Sequence, residues 1–198
     1  MLPESPAWLA VVGAYGDVGD RAFDLPELAA VRRAPIRRLV PLVNAPRRLP
    51  DGPVREALGL LVDSVSPEAA LQDDRIDLLG EARREWRAGF DRVRRTAPVV
   101  VDGVALIRPA SPAQVHPLVA AQWQRRLAPR VVLAANEGYL PGRVNFSVRG
   151  GTGDLRRLLL EALPEADGEF AHGHDRATGG SLDPRQFELL LERLGLRP

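Results

Sequence analysis

Two glycine-rich stretches hold the residues best suited to chemistry. The first, Val144 to Arg157, reads VNFSVRGGTGDLRR. A strand ending at Arg149 runs into Gly150, Gly151 and Gly153 before a helix opens near Asp154. Backbone N–H groups at such a strand-to-helix turn attract anions, and an arginine adds a charged fork. Asn145 and Ser147 stand two residues apart, on one face of that strand, and could add hydrogen bonds. An ordinary loop with an exposed arginine has the same composition, so this stretch alone decides nothing.

The second stretch, Phe170 to Pro184, reads FAHGHDRATGGSLDP and holds two of the chain's three histidines. Read as a loop, it places the His174 imidazole between Gly173 and the Gly179-Gly180 pair, beside bare backbone amides. That combination suits a phosphate or a nucleotide edge. A structural turn with surface histidines is the plain alternative. A zinc site would need His172, His174 and Asp175 to converge, and as an extended strand they alternate on opposite sides. Base stacking would need an exposed aromatic ring. Tyr139 and Phe146 are the candidates, Phe146 reading more naturally as core.

The surrounding elements must position these residues. Residues 97–198 read as a complete small α/β domain. PVVVDGVALIRPA is a strand, an Asp-Gly turn and a second strand. A helix follows, starting at or just before Pro117. RVVLAANEG and GRVNFSVRGG are strands, GDLRRLLLEAL is a helix, and DPRQFELLLERLG is a closing helix with Asp183 as N-cap and Gly195 as stop. Residues 66–96 open with Ser-Pro-Glu, a helix start, and carry Ile76, Leu79, Arg83, Trp86, Phe90 and Val93 at spacings of three and four. One long connecting helix is expected there. Residues 1–65 are helical pieces broken by proline, too short to bury a core alone, and read as part of a domain.

Composition narrows the class. The 198 residues carry a net charge of +1, which argues against coating nucleic acid through bulk charge. All 27 basic residues are arginine, a bias that genome composition explains, so the missing lysine decides nothing about function. There is no cysteine, hence no disulfide and no thiolate metal site. No apolar run is long enough to span a membrane. The start MLPESPAW lacks the basic and apolar regions of a secretory signal, so a cytoplasmic protein is expected.

Taken together, FSVRG, the helix DLRRLLLEAL and HGHDRATGGSL resemble the DHH-associated domain, the C-terminal lobe of DHH phosphoesterases such as the RecJ-like exonucleases. The family's pattern is a serine-x-arginine strand, then a glycine-rich segment ending in histidine, followed by an alanine and a glycine pair. His174-Asp175-Arg176-Ala177-Thr178-Gly179-Gly180 fits it; of the glycines usual before the histidine only Gly173 remains. WLAVVGAYGDVGD is similar to the segment that carries the family's last metal-ligating aspartate, which would be Asp17. The alternative for Asp17 is a residue that merely caps or ends a helix.

The resemblance implies an α/β fold with a partial helical lobe (1–65), a connecting helix (66–96) and a mixed-sheet substrate-binding domain (97–198). It implies substrate contacts from Asn145, Ser147, Arg149, Gly173, His174, Gly179 and Gly180. The ligand would be single-stranded nucleic acid, a short oligonucleotide or a dinucleotide, and the cofactor manganese or magnesium in the complete enzyme. No Asp-His-His occurs in the chain, and no early Asp-x-Asp follows a buried strand. The chain is therefore expected to be inactive alone, a substrate-binding part whose catalytic half lies elsewhere. A non-catalytic nucleic-acid-binding or protein-interaction module is the second reading.

Overall fold

A computed structural model of the chain describes residues 7–25, 31–128, 130–151, 153–166 and 170–196. Residues 26–30, within the stretch read above as helical pieces, lie outside these. The chain divides into two compact units, Met1–Arg87 and Ala88–Pro198. No helix among the described residues is long and apolar enough to cross a membrane.

The first unit is helical. It comprises α1 (Ala7–Val18), a 3-10 turn (Gly19–Asp24), α2 (Arg33–Val43), a second 3-10 turn (Pro46–Arg48), α3 (Val54–Asp63), α4 (Pro67–Ala70) and the first part of α5 (Arg75–Val93). These pieces share a core, completed by Ala70 and Leu79 from beyond residue 65. Trp8, Val11, Phe23, Ile36, Leu39 and Leu60 are buried together with Leu79 of α5. The prolines break the chain into segments without preventing burial, because Pro35 sits in the first turn of α2, where a missing N–H costs little.

The single helix expected over 66–96 is two. Ser66 caps α4 by accepting from Ala69 N at 3.1 Å, and the chain then leaves the helix. Asp73 restarts it: its Oδ1 accepts from the backbone N and the Nε of Arg75 at 2.9 and 2.8 Å. A short acidic side chain that bonds nearby backbone competes with helix continuation and favours a new cap. Within α5 the apolar stripe stands as spaced. Leu79 and Val93 are buried, Ile76, Trp86 and Phe90 half-buried, and Arg83 exposed.

The second unit is an α/β domain. Its elements are β1 (Val99–Val101), β2 (Val104–Ile107), α6 (His116–Leu127), β3 (Val131–Asn136), β4 (Val144–Arg149), α7 (Leu155–Ala162), β5 (His172–His174), β6 (Ala177–Leu182) and α8 (Pro184–Arg193). The six strands form one mixed sheet in the order β1-β2-β3-β4-β6-β5. Only β2 and β3 are parallel, joined through α6; the other pairs are antiparallel. Asp102 and Gly103, at φ 45° and 83°, make the left-handed two-residue turn that suits the twist of a hairpin. Asp154 and Asp183 cap α7 and α8 by accepting backbone N–H bonds.

Strand β4 shows how core and polar face share one segment. Val144, Phe146 and Val148 join the main core, where Phe146 lies 5.6 Å from Phe187 and 6.2 Å from Phe170, ring centre to ring centre. Successive side chains alternate across a sheet, so Asn145, Ser147 and Arg149 face the other way. Phe146 is 1% exposed and is core, unavailable for base stacking.

Candidate functional site

The polar face of β4 lines a cleft of about 320 Å³ in the second unit. Asn145, Ser147 and Arg149 form its floor, β6 adds Ala177 to Ser181, β5 adds His172, and α6 contributes His116 and Pro117. The ladder brings the two glycine-rich stretches side by side, pairing Asn145 with Ser181, Ser147 with Gly179 and Arg149 with Ala177. The sequence placed these residues in separate segments; antiparallel pairing makes them one surface.

Three buried polar atoms in this cleft have no hydrogen-bond partner among the described residues: Asn145 Oδ1, Arg149 Nε and His116 Nδ1. A buried polar atom left unpaired costs about 1–3 kcal/mol, so three at one place are an unusual expense for a fold to keep. The contrast with Asn136, opposite Asn145 in the ladder, is direct. Its Oδ1 accepts from Ser111 N and Gly138 N at 2.9 and 3.2 Å, and its Nδ2 donates to the Ala113 carbonyl at 2.8 Å. Asn136 is structural and satisfied, whereas Asn145 lines the cleft with its Oδ1 buried and unpartnered among the described residues.

His116 is the residue that sequence reading missed. It is 6% exposed, and burial pushes its pKa down to about 4, so at neutral pH it is an uncharged imidazole. It occupies the first position of α6, a helix without a side-chain cap, where the positive end of the helix dipole also disfavours a charged ring. The signal available was its scarcity: it is the third of three histidines, directly before the proline that starts a helix. The residues lining the cleft thus include an amide, a guanidinium and a neutral imidazole.

The segment read as a loop is a hairpin of strands. His172 pairs with Gly179 and His174 with Ala177. Gly173 between them has φ 122°, and a Cβ there would lie 2.2 Å from the Ala177 carbonyl oxygen. A Cβ on Gly179 would lie 2.3 Å from the Phe146 carbonyl oxygen. Both glycines are explained by close approach of neighbouring backbone within the sheet. Of the sequence candidates, Asn145, Ser147, Arg149, Gly179 and Gly180 line the cleft. Gly173 and His174 are exposed and outside its lining, where His172 stands instead. Tyr139 is half-buried and likewise outside it.

Asp17 is exposed near the end of α1 in the first unit. Its neighbour Asp20 is held by Arg37, which donates from Nε and Nη2 at 2.9 and 3.0 Å. No three His, Cys, Asp or Glu among the described residues gather as a metal ion would require. His172, His174 and Asp175 form no such group, and Asp17 by itself does not fit a two-metal centre.

No protein-family model matches the chain, and no curated protein does. Solved structures do. A structure of exonuclease RecJ bound to manganese matches at TM-score 0.57 and 20% identity, over 96% of this chain and 44% of that one. RecJ from Thermus thermophilus in complex with Mg2+ matches at TM-score 0.63 and 21% identity, over 95% of this chain and 33% of that one. The pGpG-specific phosphodiesterase PggH from Vibrio cholerae matches at TM-score 0.51 and 12% identity, over 98% and 68%. The chain shares the fold of these structures and spans less than half the length of the RecJ chains it matches.

Proposed function

We propose that this chain is the substrate-binding, C-terminal part of a DHH-type phosphoesterase and takes the phosphorylated end of a single strand, a short oligonucleotide or a dinucleotide. The observation that carries the reading is the convergence of Asn145 Oδ1, Arg149 Nε and His116 Nδ1, buried and unpartnered, on one cleft. A nucleotide supplies what each lacks. Its phosphate oxygens accept from the arginine fork, and its base or sugar offers donors to the amide oxygen and a partner to the imidazole. Gly180 and Ser147 complete the wall, while His174 and Gly173, exposed on the same hairpin, would meet the part of the ligand that extends beyond the cleft.

The fold shared with an exonuclease and a pGpG-specific phosphodiesterase supports the substrate class. Cleavage is assigned to a catalytic half that this sequence does not carry, with Asp17 as its last manganese or magnesium ligand once that half is present. The second reading, a binding module without catalysis, draws on the exposed position of Asp17, away from any metal-ligating group among the described residues.

The test is titration of a short 5′-phosphorylated oligonucleotide into the wild type, Arg149→Ala and His174→Ala, with manganese-dependent cleavage followed in the same samples. Arg149→Ala is expected to weaken binding about tenfold or more, the scale of a lost charge-assisted bond. His174→Ala is expected to weaken it less, and no variant should cleave. Binding indifferent to Arg149 would refute the proposal; cleavage by the wild type would refute the assignment of catalysis elsewhere.

A further inference from the structure

A second pocket, in the first unit, has a different chemistry from the cleft described above. It measures about 440 Å³ and is lined by Tyr15, Asn44, Arg48, Arg83, Trp86 and Arg87 among others, with no carboxylate in its wall among the described residues. Arg48 ends the second 3-10 turn, half-buried, with its guanidinium carbon 4.9 Å from the centre of the Trp86 ring. Stacking uses the flat face of a guanidinium and leaves its in-plane N–H donors free to point elsewhere.

Those donors have no side-chain acceptor among the described residues. Among the described residues neither Arg48 nor Arg83 makes an ion pair or side-chain hydrogen bond. Arginines elsewhere do: Arg37 holds Asp20, Arg75 holds Asp73 and Asp63, and Arg108 holds Glu137 and Glu188. Burial and the neighbouring charge of Arg47 push the Arg48 pKa down, which says that the guanidinium is being held without compensation. Asn44 adds an amide at the same wall, its Nδ2 3.3 Å from where a Cβ on Gly16 would stand. A desolvated, stacked and unpaired guanidinium beside a second free one is a site built for an anion.

We propose that this pocket binds a phosphate monoester carried on an organic body. Arg48 and Arg83 take the phosphate, Asn44 adds a donor, and Tyr15, Val40 and the edge of Trp86 flank the carrier. Two guanidiniums without a carboxylate favour a dianion over a monoanion, and the apolar walls leave room for more than phosphate alone. The pocket lies wholly in the first unit, so the proposal does not rest on the reading of the β4 cleft.

Trp86 is the reporter. In a Trp8→Phe, Trp123→Phe background, its emission is followed during titration with inorganic phosphate, a nucleoside 5′-monophosphate, and a dinucleotide with and without its 5′-phosphate, at constant ionic strength. Calorimetry on the unaltered chain runs in parallel with the same probes. The expected result is a saturable change in Trp86 emission with each probe that carries a terminal phosphate, weakened about tenfold in Arg48→Gln and in Arg83→Gln. The tightest probe then identifies the source, a free mononucleotide or a nucleic-acid end. Should Arg48→Gln lose its fold by circular dichroism, Arg83→Gln decides. The proposal is overturned if phosphate leaves Trp86 unmoved, if sodium chloride moves it equally, or if the folded variants titrate like the parent.

Discussion

Asn136 and Asn145 face each other across one ladder, both buried, at 0% and 8% exposure. Truncating each to alanine should nevertheless have opposite consequences. Asn136→Ala strands the Ser111 and Gly138 N–H groups and the Ala113 carbonyl, all bonded by that one amide. The Ser111 N–H and the Ala113 carbonyl are buried, whereas Gly138 is exposed and its N–H can turn to water. At about 1 kcal/mol or more for each buried group left unpaired, the loss is about 2 kcal/mol. Asn145→Ala removes an acceptor that has no partner in the fold, so the relief of its desolvation offsets the lost packing. Its stability should stay within about 1 kcal/mol of wild type. Urea unfolding of the two variants, compared at equal slope, reads the difference as a shift in midpoint. Oligonucleotide binding should rank them the other way, with folded Asn136→Ala binding normally and Asn145→Ala weakened. Equal destabilisation would mean that Asn145 serves the fold, and the argument from unpaired cleft atoms would fail with it.

Three further outcomes are expected. His116 has a folded pKa near 4 against an unfolded value of 6.5, so the unfolded chain binds the extra proton between these values. Stability should be complete above pH 6.5 and fall by roughly 3 kcal/mol as pH drops towards 4, a slope that His116→Gln flattens in unfolding curves taken across that range. Gly179→Ala pushes a methyl group against the Phe146 carbonyl, with backbone atoms on the resisting side, and should lower the melting temperature by an amount equivalent to about 2 kcal/mol or more. Phe146→Ala, emptying the centre of the three-phenylalanine cluster, should cost about 3–5 kcal/mol in the same assay.

Much of the second unit was legible because its signals are local. Asp102-Gly103 between two valine-rich runs specified the hairpin, Asp183 and Gly195 bracketed α8, and Pro117 marked the start of α6. The pairing of β4 with β6 was not local, since α7 and the β5 turn separate them, and only the ladder shows that Arg149 and Gly179 line one cleft. Neither was the cause of the glycines. Sequence suggested room for a ligand, while Gly173 and Gly179 make room for the Ala177 and Phe146 carbonyls. The break between α4 and α5 escaped because the spaced apolar residues begin only at Ile76, beyond it, and Asp73 interrupts by a hydrogen bond that spacing does not register. His116 escaped because nothing in its neighbours announces that its ring will be buried.

The alternation on β4 has a consequence for how this site can change. Sliding the strand by one residue would turn Phe146 out of the core and drive Asn145 or Ser147 into the space beside Phe187. The apolar row therefore acts as a proofreader for the polar one: a chain that folds at all has its cleft residues in register. New ligand preferences can be explored by exchanging Asn145 or Ser147 one at a time. Insertions or deletions within the strand would be rejected at folding, before any ligand is met.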